Sequence, residues 1–131
     1  MILTKGNIAQ IGSVILTVSD QDDAIEFYTG VLGFEKRSDT PYGNGDRWVE
    51  VAPAGAATGI ALVPPREGHN SAGGNGTAIA LNSNDIDADH AHLLSQGVDA
   101  DAEIMRGGDP VPPLFSFRDP DGNNFWVVGT A

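Results

Sequence analysis

The stretch Ile15-Leu16-Thr17-Val18-Ser19-Asp20, together with the helical pattern that follows it, is echoed in the second half of this 131-residue chain. The second copy reads Ile79-Ala80-Leu81-Asn82-Ser83-Asn84-Asp85. In each copy a short apolar strand leads through an acidic turn into an amphipathic helix, and the helix ends at a glycine, Gly33 or Gly97. A repeat of this length indicates two similar modules, and it places the candidate site where the modules face each other.

Length and composition restrict the classes of function. A chain of 131 residues has room for one domain with one core, and we expect residues 1–131 to form that domain. No run of about 18 apolar residues predicts a transmembrane span, and no secretion signal is expected at the N-terminus. The absence of cysteine excludes disulfides and thiolate metal sites and fits a cytoplasmic protein. The formal net charge of −11 disfavours nucleic acid and anionic lipid as partners and favours a neutral or cationic ligand.

The periodicity predicts a strand, a helix and three further strands in each half of the chain. In module one, about residues 8–64, we expect strand 13–18, a helix over roughly 21–31, and strands 34–38, 47–52 and 59–63. A glycine-rich linker, about residues 65–76, leads to module two, about residues 77–131. There we expect strand 77–83, helix 87–96, and strands 101–105, 114–118 and 123–129. The tetrapeptide Asp119-Pro120-Asp121-Gly122 predicts the tight turn before the last strand.

Two motifs carry a resemblance to a known family. The first comprises Val14-Ile15-Leu16-Thr17-Val18-Ser19-Asp20, Phe27-Tyr28 and Val31-Leu32-Gly33-Phe34; the second is Phe117-Arg118-Asp119-Pro120-Asp121-Gly122-Asn123-Asn124-Phe125. They resemble the vicinal oxygen chelate superfamily, which includes glyoxalase I, extradiol dioxygenases, fosfomycin-resistance enzymes and bleomycin-resistance proteins. The resemblance covers nearly the whole chain. It implies an α+β fold in which two βαβββ modules form a cup-shaped mixed sheet, usually in a homodimer.

The positions that bind metal in this superfamily carry no metal ligands here. The resemblance places these positions at Ser13, Ala78 and Trp126, where the metal enzymes have histidine or glutamate. A divalent cation requires imidazole or carboxylate donors, and these three side chains together offer one neutral oxygen. His90 and His92 lie two residues apart on a predicted helix, so they cannot chelate as an i, i+4 pair would. We therefore expect no metal, no other cofactor and no catalytic residue.

Strand alternation predicts that Val49, Val51, Phe115 and Phe117 pack in the core. The residues that alternate with them then line the cup. Two tryptophans supply flat apolar walls, and small residues leave volume, which is a composition suited to a planar hydrophobic molecule unless the indole rings fill the cup themselves. Glu50 and Asp109 are the acids available to a cationic group of the ligand, and Tyr42 lies at the rim. The expected ligand-binding residues are Ser13, Ile15, Tyr42, Trp48, Glu50, Ala78, Asn82, Asp109, Leu114, Ser116 and Trp126.

Two functions of different classes follow from this lining. The first, similar to the bleomycin-resistance branch, is a metal-free homodimer that sequesters a planar, hydrophobic antibiotic or natural product, with or without a cationic group, and so confers resistance. The second is an enzyme of natural-product metabolism, either a metal-independent isomerase or cyclase or a glyoxalase- or dioxygenase-type metal enzyme with relocated ligands. For the enzyme, Glu50 and Asp109 are the acid–base candidates, but the sequence shows no partner group for either. The missing metal ligands therefore favour the binding protein.

Overall fold

Each half of the chain forms one four-stranded sheet with its own helix. The protein is described by a computed structural model over residues 6–43, 45–68, 70–73 and 78–130. None of the helices in these ranges is long and apolar enough to cross a membrane. Module one contains β1 (Ser13–Thr17), α1 (Gln21–Ile25) with a π-helical continuation (Glu26–Val31), β2 (Glu35–Gly43), β3 (Asp46–Ala52) and β4 (Gly59–Val63). Module two contains β5 (Ala78–Ser83), α2 (Ile86–Ser95), β6 (Asp99–Ala100), β7 (Leu114–Arg118) and β8 (Asn124–Gly129).

The two sheets have the same topology. Their strand orders are β1-β4-β3-β2 and β5-β8-β7-β6. In each sheet the first strand pairs in parallel with the last strand of its module, and the other pairs are antiparallel. The predicted α+β fold of two βαβββ modules is confirmed. The shared pairing also defines equivalent rows across the sheets, which are Ile15, Ala61 and Glu50 in module one and Ala80, Trp126 and Ser116 in module two.

Each helix begins at an aspartate and is followed by a glycine, as the repeat predicts. The carboxylates of Asp20 and Asp85 accept hydrogen bonds from the backbone N–H three residues later, at 2.9 and 3.1 Å. Such caps satisfy one of the free N–H groups at a helix start. Gly33 and Gly97 have φ values of 76° and 75°. In this left-handed region a Cβ is unfavourable, so glycine is the residue that allows the chain to leave the helix there.

Two predicted strands differ from the structure for identifiable reasons. β2 continues beyond the predicted end at residue 38, through Pro41 to Gly43, because β3 offers pairing partners as far as Asp46. Proline has no N–H to donate, and β2 tolerates it because this strand lies at a sheet edge. The predicted strand 101–105 is wrong, because the strand that forms is β6 at Asp99–Ala100, before the predicted range. Beyond β6 the carboxylate of Asp101 accepts the backbone N–H of Ser116 at 2.9 Å, where a strand would offer a backbone carbonyl, and Met105 pairs with Leu114 only through an isolated bridge.

One apolar core joins the two modules. Phe117 and Phe125 stack with their ring centroids 5.0 Å apart, and the ring of Tyr28 from module one lies 5.9 Å from that of Phe125. The core takes one face of each sheet, and we call the opposite face of each sheet its outer face. The strands contribute eight buried side chains to the core, namely Val49, Val51, Ile60, Leu62, Phe115, Phe117, Phe125 and Val127. The burial of Val49, Val51, Phe115 and Phe117 agrees with the predicted alternation along β3 and β7.

A buried carboxylate ties the modules together. Asp119 is 4% exposed, and its Oδ2 accepts hydrogen bonds from the Tyr28 hydroxyl at 2.7 Å and from Asn123 Nδ2 at 2.9 Å. Its Oδ1 accepts from the backbone N–H groups of Asp121 and Asn123, at 3.0 and 2.8 Å. Asn123 Nδ2 also donates to the Thr17 carbonyl oxygen at 3.0 Å. We call Tyr28, Asp119 and Asn123 the Asp119 clasp, because the turn of module two holds the helix and first strand of module one through them.

We expect the variant Tyr28→Phe to lower the free energy of unfolding by about 1–3 kcal/mol, because the buried carboxylate of Asp119 then loses one donor while the aromatic packing remains. Urea unfolding followed by circular dichroism measures this difference. Tyr42→Phe, on an exposed ring, is the matched control and should change the stability by less than about 0.5 kcal/mol. Equal stabilities of the two variants would contradict the role of the clasp.

The clasp also predicts a loss of stability at alkaline pH. Burial, followed by the negative charge of Asp119, raises the pKa of Tyr28 well above its ordinary value. The folded protein therefore keeps this proton above about pH 10, where the unfolded chain releases it. The contribution of this proton to the free energy of unfolding is complete below about pH 10 and decreases above it, by up to about 1.4 kcal/mol per pH unit. Urea unfolding between about pH 9 and pH 11 should give a steeper decline for the wild type than for Tyr28→Phe, and parallel declines would refute this assignment.

Candidate functional site

Most of the predicted site residues fall on the strands of the two outer faces. Their sequence neighbours on the same strands, such as Val49 and Phe115, point into the core, so alternation turns the predicted residues outward. Asp109 is the exception and is described below. Module one carries Ser13, Ile15, Tyr42, Trp48 and Glu50, and module two carries Ala78, Asn82, Leu114, Ser116 and Trp126.

Trp126 lies in the middle of the outer face of module two. It pairs across the sheet with Ala80 on one side and Ser116 on the other, and it is 36% exposed. Ala78 and Ala80 are small and exposed, and they lie on an edge strand of the sheet. The indole ring therefore adjoins an open, flat and largely apolar surface on its β5 side.

An ion-pair network that the sequence did not predict lies on the other side of Trp126. Arg118 donates through Nη1 to Ser116 Oγ at 2.8 Å and through Nη2 to Asp99 Oδ1 at 2.9 Å. Asp101 Oδ2 accepts from the Ser116 hydroxyl at 3.0 Å as well as from the Ser116 backbone. Hydrogen bonds from the Ser116 backbone and side chain and from Arg118 hold the pKa of Asp101 below its usual range. Hydrogen bonding to Arg118 likewise lowers the pKa of Asp99.

This network changes the expected role of Ser116. The residue is 6% exposed, and its hydroxyl is already hydrogen-bonded to Asp101 and Arg118. It supports the surface beside Trp126 and offers little area of its own. Arg118 could have been anticipated, because it follows Ser116 by two residues on the same strand and therefore shares its outer face.

Glu50 occupies in module one the position that Ser116 occupies in module two. Its side chain is half-buried and lies against Gly59 of the neighbouring strand. A Cβ on residue 59 would stand only 2.7 Å from Glu50 Oε1, so the absence of a side chain there creates the room for this carboxylate. Trp48 lies two residues earlier on the same strand and is also half-buried.

A cavity of about 620 Å³ opens beside the outer face of module one. This volume is within the range of about 300–1,000 Å³ that is usual for small-molecule sites. The cavity brings together two of the predicted residues, Ile15 and Tyr42, with residues that the sequence did not predict for the site. The further lining residues are Asp46, Val63, Pro64, Pro65, Arg66 and Asn70.

The wall of this cavity includes the beginning of the predicted linker. Asn70 Nδ2 donates to Thr17 Oγ1 at 2.6 Å and to the Pro64 carbonyl oxygen at 3.2 Å, so the segment is fastened to β1. Arg66 and Asn70 also exchange two backbone hydrogen bonds, of 3.2 and 3.0 Å. The rest of the predicted linker, at position 69 and over 74–76, and the first residue of the predicted strand 77–83 lie outside the described residues.

Asp109 belongs to a different region of the surface. It lines a second cavity of about 570 Å³ with Arg106 and several prolines, next to the start of α2. None of the predicted residues on the two outer faces lines this cavity. The structure therefore does not bring Asp109 together with the other predicted site residues.

The side chains at the metal positions implied by the resemblance do not fit a metal ion. Ser13 lies on module one, whereas Ala78 and Trp126 lie on module two, and only the serine has an oxygen. Within the described residues, no three histidine, cysteine, aspartate or glutamate side chains form a group that could hold a metal ion. The donor chemistry of these positions thus differs from that of the metal enzymes.

The two histidines of α2 make structural contacts in different places. The ring of His90 packs edge-on against Phe115 with the centroids 4.8 Å apart, and its Nε2 lies 2.8 Å from the Asp101 carbonyl oxygen. His92 Nε2 lies 2.8 Å from the Val31 carbonyl oxygen, at the end of the helical segment of module one. As expected from their spacing, the two rings do not face a common site.

Known proteins match this chain consistently over most of its length. The family model described as Glyoxalase/Bleomycin resistance protein/Dioxygenase superfamily matches residues 10–127. Uncharacterized protein YetH of Bacillus subtilis (strain 168) is 33% identical over 120 residues, which cover 90% of this chain and 96% of YetH. The structure of TnmS3, an antibiotic binding protein from Streptomyces sp. CB03234, superposes with a TM-score of 0.80 at 31% identity, covering 97% of this chain and all of TnmS3. A superfamily member from Sphaerobacter thermophilus DSM 20745 superposes with a TM-score of 0.84 at 35% identity, covering 94% of this chain and 98% of that protein.

We expect Asn70→Ala to loosen the segment that walls the cavity of module one. The variant removes the hydrogen bonds to Thr17 and to the Pro64 carbonyl, which are worth about 1 kcal/mol together or a factor of about five in local opening. Amide hydrogen exchange at residues 66 and 70 should accelerate accordingly. Asn82→Ala, at an exposed position of β5, should leave these rates unchanged, and equal rates in the two variants would show that the Asn70 side chain does not fasten the segment.

Proposed function

The chain belongs to the glyoxalase/bleomycin resistance protein/dioxygenase superfamily, and we propose that it is a metal-free member that captures a planar, hydrophobic small molecule stoichiometrically. The observation that carries the proposal is the position of Trp126. This partly exposed indole ring lies in the middle of an outer face, at the position where the resemblance implies a metal ligand in the metal enzymes. A side chain that cannot bind metal but can stack on a ring favours binding over metal-assisted chemistry.

The surroundings of Trp126 support the same ligand class. Alanine at positions 78 and 80 lets a flat molecule approach the sheet closely, next to the indole ring. Stacking contributes about 0.5–1.5 kcal/mol per ring pair beyond the burial of area. A single wall therefore gives weak binding, and tight capture requires that the second face of the ligand be covered as well.

We propose that a second copy of the chain supplies the opposite wall. The core lies on the inner face of both sheets, so a single chain leaves large apolar residues of both outer faces in contact with solvent. Ile15 of module one is 63% exposed, and Trp126 of module two is 36% exposed. A homodimer in which an outer face of one protomer meets an outer face of its partner would cover these side chains and enclose the ligand between two sheets.

The comparison with TnmS3 supports an antibiotic or a related natural product as the ligand. TnmS3 is an antibiotic binding protein, and the identity of 31% extends over 97% of the present chain. On this basis we propose that capture of such a compound in the cytoplasm protects the cell that makes this protein. Each binding site holds one molecule of the compound, and no chemical step is needed.

Titration with daunorubicin, a planar anthraquinone antibiotic, should quench tryptophan fluorescence at micromolar ligand and saturate at a fixed stoichiometry. We expect Trp126→Ala to weaken binding by at least about tenfold, because it removes the stacking wall. Val111→Ala, on an exposed apolar residue of the second cavity, is the matched control and should leave the affinity unchanged. No quenching by daunorubicin or by mitomycin C would contradict the proposal.

Two further measurements separate capture from turnover and test the dimer. The ligand recovered after denaturation should be chemically unchanged, whereas conversion of excess ligand by a small amount of protein would favour an enzyme.

Light scattering should give twice the mass of one chain, and a monomer that still binds ligand tightly would refute the two-walled site.

A further inference from the structure

We infer that Glu50 determines the specificity of the site and selects planar molecules that carry a cationic nitrogen. This inference rests on the proposed capture function and deepens it, because it assigns a charge to the captured molecule. Three features of Glu50 support this role: the position of its carboxylate, the lack of a partner for it among the described residues, and the glycine against which it lies.

Glu50 is placed to contact a ligand on the outer face of module one. In the row across the sheet its neighbours are Ala61 of β4 and Ser38 of β2, and Ile15 follows beyond Ala61. These neighbours are uncharged. The exposed side chain of Ile15 lines the cavity of about 620 Å³, so the row leads from Glu50 towards that cavity.

The carboxylate of Glu50 has no partner in the described part of the chain. The ion pairs found there join Lys36 and Arg47 to Asp39, Arg47 to Asp22, Arg106 to Asp87, and Arg118 to Asp99 and Asp101. Arg66, which lines the cavity near Ile15, makes no ion pair with Glu50. On these two sheets Glu50 is thus a half-buried acid whose charge the described residues do not compensate.

Gly59 keeps this carboxylate against the sheet. A Cβ at residue 59 would stand 2.7 Å from Glu50 Oε1, 3.0 Å from Cγ and 3.1 Å from Cδ, all shorter than normal contacts. The side chain of Glu50 therefore lies flat over the strand instead of extending into solvent. Any side chain at position 59 would displace it.

A ligand that covers Glu50 removes water from a charged group. A neutral molecule leaves the carboxylate buried without a partner, which opposes binding, whereas a cationic nitrogen replaces the lost water by a charge-assisted hydrogen bond. The net charge of −11 adds a long-range attraction for the same ligands. In module two the equivalent position is Ser116, and the carboxylates near it, Asp99 and Asp101, already accept hydrogen bonds from Arg118 and Ser116. Glu50 has no such donor among the described residues, so its carboxylate is the one available to a ligand cation.

The test compares two tricyclic probes of similar size, 9-aminoacridine, which is a cation at neutral pH, and 2-aminoanthracene, which is neutral. Binding to the wild-type protein is measured by quenching of tryptophan fluorescence. We expect the cation to bind about tenfold more tightly, and we expect Glu50→Gln to reduce this ratio to within about twofold by weakening the binding of the cation and strengthening that of the neutral probe. Glu26→Gln removes an equal charge from an exposed position of the first helix and should keep the wild-type ratio.

Gly59→Ala provides a second variant that leaves every carboxylate in place. Because its Cβ displaces the Glu50 side chain, it should lower the preference for the cation without changing the net charge. Equal binding of the two probes to the wild type, or equal effects of Glu50→Gln and Glu26→Gln, would overturn the role of Glu50 and leave the capture function standing. If neither probe binds, the proposed capture of planar molecules is itself contradicted, and this inference falls with it.

Discussion

The buried carboxylate of Asp119 is the interaction on which the arrangement of the two modules depends. Four hydrogen-bond donors satisfy it, and none of them is charged. A carboxylate taken out of water is tolerated only when its oxygens are fully hydrogen-bonded, so the turn, the first helix and β1 must meet in one geometry. Asn123 extends the same network to the backbone of β1, and its Oδ1 has no partner among the described residues. The polar network thus fixes the relative orientation of the two modules, which apolar packing alone would specify less strictly.

The position of that core decides which surfaces are available for binding. Because both sheets turn their inner faces to the same cluster of aromatic and aliphatic side chains, the outer faces are the surfaces that remain. The duplicated topology presents two similar faces, but their central residues differ. Trp126 of module two corresponds to Ala61 of module one, and Ser116 corresponds to Glu50. An aromatic wall and an uncompensated charge are therefore found on different halves of the same chain.

The two modules keep the same strand topology but carry different side chains at equivalent positions of their outer faces. Serine at position 13 and alanine at position 78 leave space on the two outer faces, and they remove the donors that a divalent cation needs. The ion pairs of Arg118 with Asp99 and Asp101 hold the acids near Trp126 in place and support the sheet edge. The resulting surface is suited to holding a molecule by shape, stacking and one charge.

The sequence by itself determined the elements of this protein, because they depend on local rules. Alternation identified β1, β3, β4 and β7 closely, and the aspartate caps and the glycines after the helices marked where each helix starts and stops. The same alternation predicted that Phe115 and Phe117 belong to the core and that Trp126 faces outward. These inferences need only the neighbours along the chain.

The tertiary structure alone decided what depends on residues far apart in the sequence. The extension of β2 through Pro41 required the pairing partner on β3, and the irregular backbone in place of the predicted strand 101–105 accompanies the contact between Asp101 and Ser116. The cavity wall at Asn70 depends on a hydrogen bond to Thr17, 53 positions away. The carboxylate of Glu50 is held by Gly59, which periodicity could identify as a strand residue but not as its contact. Such contacts form only after the sheets have assembled, because strand pairing and side-chain packing bring distant residues together and leave no periodic trace in the sequence.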